Sequence, residues 1–164
     1  MKKQKKLRVG LFSFTGDEGC VITFIELLND YFFKWKDYLE FKYARALQSK
    51  NIIKDIDVSI VEGAISSKKE EKRIKKIRKN SKRVIALGSC AVNGSPSNHR
   101  NFFDKEKMKD IMPIIKKFNL NKKVEPLSKF IKVDASVPGC PMMGDKFIEV
   151  IYQYFDEFGI KVPG

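Results

Sequence analysis

Residues 7–28 read LRVGLFSFTGDEGCVITFIELL, and this stretch predicts a strand, a tight turn and a helix. Its first eight residues are nearly all apolar and rich in strand formers. Gly16 and Gly19 mark the turn, and apolar residues then recur at helical spacing. The chain therefore opens on a β-α unit with a glycine-rich loop.

The loop of that unit begins like a phosphate-binding loop but contains no lysine. It instead holds the carboxylates Asp17 and Glu18 and ends at Cys20. The simplest interpretation of the two carboxylates is capping of the following helix, which acidic residues at such turns commonly provide. Capping does not exclude a second role as a ligand.

The rest of the chain continues the alternation of strands and helices. Further strands are predicted at 39–47, 57–65, 83–90 and 130–137, and helices at 21–35, 66–80, 104–118 (with Pro113 as a possible kink) and 144–159. Several strands are apolar on both faces, as strands covered by helices on both sides are. We expect an α/β protein, a doubly wound parallel sheet forming a single domain over residues 1–164.

Composition excludes some functions. No apolar run approaches the roughly 18 residues of a membrane helix, so we expect no membrane insertion, and the N-terminus lacks a cleavable leader, which predicts a cytoplasmic protein. The formal charge is +13, but its lysines are spread over several segments and accompany no nucleic-acid motif. We interpret them as a solvated surface rather than a nucleic-acid site, with an acidic protein partner as the lesser alternative.

The three cysteines follow predicted strands. Cys20 follows the first strand, Cys90 the fourth and Cys140 the fifth, each with a glycine one or two residues before it. Because the carboxyl ends of parallel strands share one edge, where such folds bind ligands, the three thiols are predicted to meet there.

These thiols admit several interpretations. Each cysteine alone is most simply a small buried apolar residue. A disulfide is disfavoured by the odd count, and zinc by the absence of closely spaced cysteine pairs. Thiolates converging from distant loops suit an iron–sulfur cluster.

The segments FTGDEGC, VEGAI, ALGSCAVNGSPSNHRN and VPGCP resemble, in order and spacing, the small subunit of nickel–iron hydrogenases of the short cytoplasmic type. The likeness runs from about Arg8 to Gly159 and extends to the superfamily of the 20 kDa subunit of respiratory complex I. It implies a flavodoxin-like fold and one proximal 4Fe-4S cluster, with no catalytic residue in this subunit.

Carried over by residue, the resemblance implies Cys20, Cys90 and Cys140 as three ligands and puts Asp17 where the family has a fourth cysteine. Three outcomes stay open: Asp17 ligates iron, the corner stays open in a 3Fe-4S form, or the cluster is lost. The surroundings of the cluster are implied to be Gly16, Gly19, Glu62, Gly88, Gly139 and Pro141.

Glu62 is either a solvated carboxylate at a strand end or a group that relays protons or tunes a potential. His99 is the only histidine and is interpreted as a surface residue, with replacement of the missing ligand as the alternative. Arg100 and Asn101 match a pair found in soluble relatives and are interpreted as part of an interface. Other interface candidates are the glycine-rich edge, YFFKW at 31–35 and the 96–103 loop.

The resemblance implies an electron-transfer subunit that docks on a nickel–iron large subunit, with further iron–sulfur or flavin subunits as partners. The alternatives are a complex I-like oxidoreductase module without nickel and a cluster-free structural subunit.

Overall fold

Within residues 4–162, which the structure describes, seven strands form two sheets. The strands are Leu7–Ser13 (β1), Leu39–Ala44 (β2), Ile56–Glu62 (β3), Ile65–Ser67 (β4), Ser81–Leu87 (β5), Leu120–Glu125 (β6) and Ala135–Val137 (β7). In the computed structural model, five of them form a parallel sheet in the order β2-β1-β3-β5-β7. Numbered within that sheet, the order is 2-1-3-4-5, the flavodoxin-like arrangement, so the predicted fold class is confirmed.

Six α-helices accompany the strands in the described part of the chain. They are Gly19–Asp30 (α1), Phe32–Trp35 (α2), Lys68–Lys79 (α3), Gly88–Asn93 (α4), Lys105–Lys117 (α5) and Gly144–Glu157 (α6). Two short 3-10 helices lie at His99–Phe102 and Leu127–Lys129. No helix within the described range is long and apolar enough to cross a membrane.

The sheet is buried on both faces because alternate strand residues enter two different apolar layers. In β3, Val58 and Ile60 pack in one layer with α1, α2 and α6, whereas Val61 packs in the other with α3. Every residue of β3 is buried. This explains why the central strands are apolar throughout instead of alternating.

Some predicted elements differ from the observed ones. The single helix predicted at 21–35 is divided at Tyr31 into α1 and α2. The strand predicted at 83–90 ends at Leu87, because the chain turns there into α4. The helix α5 continues through Pro113, whose missing N–H is tolerated within it.

The last predicted strand, 130–137, is mostly wrong, since only Ala135–Val137 pairs with β5. Just before it, the Asp134 side chain binds the backbone N–H of Val84 and the guanidinium of Arg78, which brings the chain onto the sheet at that point. The antiparallel pair of β4 and β6 was not predicted, because LNKKVE in β6 is polar and largely exposed.

The connection between β2 and β3 contains no helix. Residues 45–55 are held instead by hydrogen bonds, including those from Ala44 N–H to the Asn51 side chain at 2.7 Å and from Ile52 N–H to Lys42 O at 2.8 Å. A crossover helix would ordinarily cover the sheet on this side. Its absence leaves a depression between the end of β2 and α3.

Candidate iron–sulfur site at the carboxyl edge of the sheet

The three cysteines lie on loops and helix starts at the carboxyl edge of the parallel sheet. Cys20 lies in the first turn of α1 after β1, Cys90 in α4 after β5, and Cys140 in the loop after β7. In the sheet, β3 lies between β1 and β5, the strands that precede Cys20 and Cys90. The last residue of β3 is Glu62. The structure thus brings together residues that are 70 and 50 positions apart in the chain.

Two hydrogen bonds join the loops that carry Cys90 and Cys140. The backbone N–H of Ser89 donates to Gly139 O at 2.8 Å, and the N–H of Gly139 donates to the Ser89 hydroxyl at 3.2 Å. Both contacts are one residue away from a cysteine. They fix the two loops against each other.

Gly88 lets the first cysteine approach this pair of loops. Its φ is +79°, and a Cβ atom added there would collide with Sγ of Cys20 and lie 3.4 Å from Gly139 O. Any side chain at Gly88 would therefore push into the space that the Cys20 sulfur occupies. The glycine joins the three cysteine-bearing segments into one site.

The three thiols differ in exposure. Cys20 is buried, Cys90 is half-buried and Cys140 is exposed. Burial raises the pKa of Cys20 to about 11, although a hydrogen bond with the backbone of Met142 opposes that rise. A metal ion deprotonates a coordinating thiol, so a cation beside Cys20 would favour its thiolate form.

The negative groups around Cys20 act in the same direction as its burial. Glu62, Cys140 and Asp17 each raise the pKa of Cys20 further through their charge. These are groups from three separate segments of the chain, acting on one sulfur.

Asp17 is exposed, and its Oδ1 accepts a hydrogen bond from the N–H of Gly19 at 3.0 Å. Capping of the first turn is therefore confirmed for Asp17. Glu18, at the N-cap position of α1, makes no side-chain capping bond and has a left-handed backbone with φ 62°, so the capping prediction is wrong for Glu18.

Glu62 is the main cap of α1, although it belongs to another element. Its carboxylate accepts hydrogen bonds from the backbone N–H groups of Cys20 at 3.2 Å and Val21 at 3.0 Å. The residue is only 3% exposed, so its interpretation as a solvated carboxylate is wrong. Burial raises the pKa of Glu62, and the two hydrogen bonds partly counter that rise.

The remaining glycines and Pro141 shape the backbone of the edge. A Cβ atom on Gly16 would lie 3.5 Å from the Cα of Gly63, and one on Gly139, where φ is +115°, would lie 2.5 Å from Pro141 O. Gly19 places its N–H beside the Asp17 carboxylate. All the residues assigned to the surroundings of the site therefore lie at the same edge.

Ser97 is a site residue that reasoning from the sequence missed. Its hydroxyl lies 3.2 Å from the sulfur of Cys90 and 3.2 Å from the carbonyl oxygen of Thr15, and its single proton is shared between these two acceptors. Ser97 belongs to the polar loop between α4 and α5, which the sequence marks as a candidate interface. A hydroxyl seven positions after a cysteine carries no signal of its own, because this contact depends on the path of the loop.

The other residues singled out in that loop bind elsewhere. His99 is exposed and packs edge-on against Phe103. Arg100 donates to the carbonyls of Ser66 and Asn121, and the side-chain amide of Asn101 exchanges two hydrogen bonds with the backbone of Val124. Arg100 and Asn101 thus attach the loop to β4 and β6 of the same chain.

The donor set suits a cluster better than a single metal ion. Within residues 4–162, no group of three or more His, Cys, Asp or Glu side chains is arranged to hold a metal ion. A single ion draws its ligands around one point, whereas each iron of a 4Fe-4S cluster takes its own ligand. Thiols on three segments joined around glycines therefore fit a cluster.

The fold and the edge together define a class: a flavodoxin-like α/β protein with thiols converging at the ligand-binding edge of its sheet. The family model for the NADH ubiquinone oxidoreductase 20 Kd subunit matches residues 18–154. The chain therefore belongs to the NADH ubiquinone oxidoreductase 20 Kd subunit family.

Individual relatives have hydrogenase names. The chain is 33% identical to a subunit of the vhu F420-non-reducing hydrogenase of Methanocaldococcus jannaschii, covering 88% of this chain and 56% of that protein. It is 26% identical to the delta subunit of sulfhydrogenase 2 of Pyrococcus furiosus, covering 88% and 60% respectively. It is 23% identical to the delta subunit of the NAD-reducing hydrogenase HoxS of Cupriavidus necator, covering 91% and 78%.

The chain therefore spans little more than half the length of the first two relatives. Among solved structures, a chain of an NAD+-reducing [NiFe]-hydrogenase in the H2-reduced state matches with a TM-score of 0.75 and 20% identity. The match covers 97% of this chain and 95% of that chain. At that identity the likeness establishes the fold alone.

Proposed function

We propose that the protein is the electron-transfer small subunit of a nickel–iron hydrogenase and carries one iron–sulfur cluster at the carboxyl edge of its sheet. The observation that carries the proposal is that the chain segments bearing Cys20, Cys90 and Cys140 adjoin one another at Gly88. Membership of the 20 Kd subunit family and the names of the relatives support it. The cytoplasmic location remains a prediction from the sequence.

In this proposal the three cysteines hold three irons and Asp17 takes the fourth position. A carboxylate is a harder ligand than a thiolate, so the corner at Asp17 is expected to lose iron more readily. A 4Fe-4S cluster, when bound, would accept and release one electron at a time.

The chain's own residues set the conditions for that chemistry. Cys20 is buried and carries the most protected sulfur of the three, whereas Cys140 is exposed and would meet a partner. Glu62 holds the amides of the first turn of α1 and so fixes the position of Cys20. Ser97 directs its hydroxyl at the sulfur of Cys90, and hydrogen bonds to sulfur are a principal means of tuning such potentials.

The partner in this proposal is a large subunit that bears nickel and iron and performs the hydrogen chemistry. The family name raises a second candidate, a complex I-like oxidoreductase module whose large subunit has no nickel. Metal analysis of the purified assembly separates the two. About one nickel per assembly supports the hydrogenase, and iron without nickel supports the complex I-like module.

The test of the cluster itself is iron and acid-labile sulfide per chain after anaerobic purification, with EPR spectra of oxidised and reduced protein. About four irons and four sulfides per chain, with no EPR signal in the oxidised state, support a 4Fe-4S cluster with a non-cysteine ligand. About three irons with a signal in the oxidised state means an open corner at Asp17. Iron that is absent from the intact assembly would overturn the proposal in favour of a structural subunit.

The Cys90→Ala variant is the control for ligand identity. Its cluster content is expected to fall to background while the circular dichroism of the α/β fold is retained, because Cys90 is half-buried in the short helix α4. Unchanged iron in this variant would remove Cys90 from the ligand set.

A further inference from the structure

A cleft lined by positive charge lies beside the candidate cluster site, where the connection from β2 to β3 has no helix. The outer part has a volume of about 830 Å³ and the inner part about 290 Å³, and the two share Tyr43, Arg45 and Arg73. We call the two parts together the cationic cleft. Its cations are Arg45, Lys69, Lys72, Arg73 and Lys76.

Four of these cations come from one face of α3. Lys69, Lys72, Arg73 and Lys76 recur at helical spacing, and an adjoining face of the same helix buries Ile74 and Ile77. The three lysines are exposed and Arg73 is half-buried. The helix therefore presents a stripe of positive charge to the cleft.

The cations of the cleft form no ion pair within the described chain, although the carboxylate of Glu18 lines its inner part. Among residues 4–162, no carboxylate lies within 4.0 Å of any of its five cations. The acids of α3 are engaged elsewhere: Glu71 pairs with Lys68, and Glu70 bonds to Thr15 and Ser66. A concentration of unpaired charge on a concave surface attracts an oppositely charged partner.

Arg73 is held in a fixed position at the junction of the two parts. Its guanidinium donates to Ser13 O at 3.2 Å and to the Tyr43 hydroxyl at 3.1 Å, and it lies over the rings of Phe14 and Tyr43. An arginine held in this way loses little freedom when it binds an anion. The apolar side chains of Ile52 and Ile53 line the outer part of the cleft beside the cations.

The inner part reaches the candidate cluster site. Ser13, Glu18 and Val21 line it, and they belong to β1 and to the loop and first turn that carry Cys20. A molecule seated in the cleft would contact the same loop that Asp17 and Cys20 share. A docked redox protein would therefore lie close to the cluster.

We propose that the cationic cleft docks an acidic segment of a partner redox protein, seated in the space that a crossover helix would otherwise fill. Charge complementarity and a concave surface with apolar residues at one side favour a protein segment over a free small anion, because the lysines are exposed rather than converging on one point. The proposal rests on the electron-transfer function proposed above, since it names a partner in that transfer.

The first test is carbodiimide cross-linking of the assembly purified from its own cells, because this reagent joins an amine directly to a carboxylate. Lys69, Lys72 and Lys76 are expected to cross-link to Asp or Glu residues of another subunit, whereas Lys105 and Lys109 of α5 stay free. An intact assembly without cross-links at α3 would overturn the docking proposal and leave the proposed function standing. An assembly without iron would overturn the function itself.

A pair of charge-matched variants gives the second test. Lys72→Glu with Lys76→Glu reverses two charges of the cleft, and Lys105→Glu with Lys109→Glu reverses two exposed charges at the same spacing on another helix. The first pair is expected to slow association with the partner about tenfold at low salt, and the second pair less than about twofold. Equal effects would mean that only net charge matters, and the proposal would fail.

Two further outcomes would indicate a different occupant of the cationic cleft. If inorganic pyrophosphate binds saturably to the isolated chain, and only the α3 variant abolishes that binding, the cleft is a small-anion site. If cross-links join Lys72 or Lys76 to acids of a second copy of this chain, the cleft is a self-association surface. Either result contradicts docking of an acidic partner protein.

Discussion

The buried carboxylate of Glu62, at the end of β3, accepts a hydrogen bond from the backbone N–H of Cys20 at 3.2 Å. A second bond to the N–H of Val21, at 3.0 Å, means that one side chain satisfies two amides of the first turn of α1. Because the first amides of a helix have no partner within it, this contact fixes both the helix start and its cysteine.

Replacing Glu62 therefore tests whether its hydrogen-bond acceptors or its negative charge stabilise the first turn of α1. Glu62→Ala leaves two buried N–H groups without partners, at about 1–3 kcal/mol for each, and is expected to lower the free energy of unfolding accordingly. Glu62→Gln keeps one acceptor oxygen and removes a buried charge, so its free energy of unfolding is expected to fall less than that of Glu62→Ala. Urea unfolding measures both, and equal losses would mean that the charge, not the acceptor, holds the turn.

Alanine variants at Gly88 and Gly159 together test how closely Gly88 packs against Cys20. Both have positive φ, at +79° and +68°, but a Cβ atom meets the Cys20 sulfur at Gly88 and nothing within 4 Å at Gly159. Alanine at either site costs roughly 1–2 kcal/mol of backbone strain, and Gly88→Ala is expected to cost about 1–3 kcal/mol more from overpacking. Equal melting temperatures of the two variants would contradict the close approach.

Ser97→Ala is expected to retain iron but shift the redox midpoint to a more negative potential. The reason is that the hydroxyl of Ser97 donates to the Cys90 sulfur at 3.2 Å, and such hydrogen bonds stabilise the more negatively charged, reduced cluster. A spectroscopic redox titration measures the shift. Ser136→Ala, in β7, is the control, because its side chain is exposed and makes no such contact among the described residues.

Asp17→Cys is expected to make the fourth iron harder to remove. A thiolate is the softer ligand and binds iron more tightly than a carboxylate, so iron loss to a chelator should be slower in the variant. Glu18→Cys is the control, one residue away and also exposed, and should leave the rate unchanged. If both variants behave like the unchanged protein, Asp17 is not at the corner of the cluster.

Asp57 provides a pH-dependent contribution to stability away from the site. Burial alone would raise its pKa, but hydrogen bonds from Arg8 and Lys82 outweigh that effect and lower the pKa to about 2. Because the folded-state pKa lies below the unfolded value of 3.8, the contribution is present above about pH 4 and is lost as the pH falls towards 2.

Asp57→Asn is accordingly expected to lower the free energy of unfolding by about 2 kcal/mol at neutral pH, with the difference shrinking between pH 4 and pH 2. Urea unfolding at several pH values measures it. Glu157→Gln, which breaks an exposed pair with Arg83, serves as the control and should lower the free energy of unfolding much less. A constant difference across that pH range would contradict the depressed pKa.

Local patterns in the sequence determined the α/β class, the parallel sheet and the edge at which the cysteines meet. Apolar runs such as Ile56–Glu62 and glycine turns after strands carry that information, because helix and strand periods are local properties. The late start of the last strand, which covers only Ala135–Val137, and the pair of β4 and β6 were not predicted, because polar and half-exposed segments have no such period.

Only the tertiary structure decided how the site is built around those cysteines. The depth of Cys20, the capping of α1 by Glu62 and the contact of Ser97 with Cys90 all join residues that are distant in the chain or separated by a loop. The same holds for the cationic cleft, where α3 meets the end of β2. The sequence specifies which groups are present, but burial, distance and unpaired charge arise only when the folded chain brings separate elements into contact.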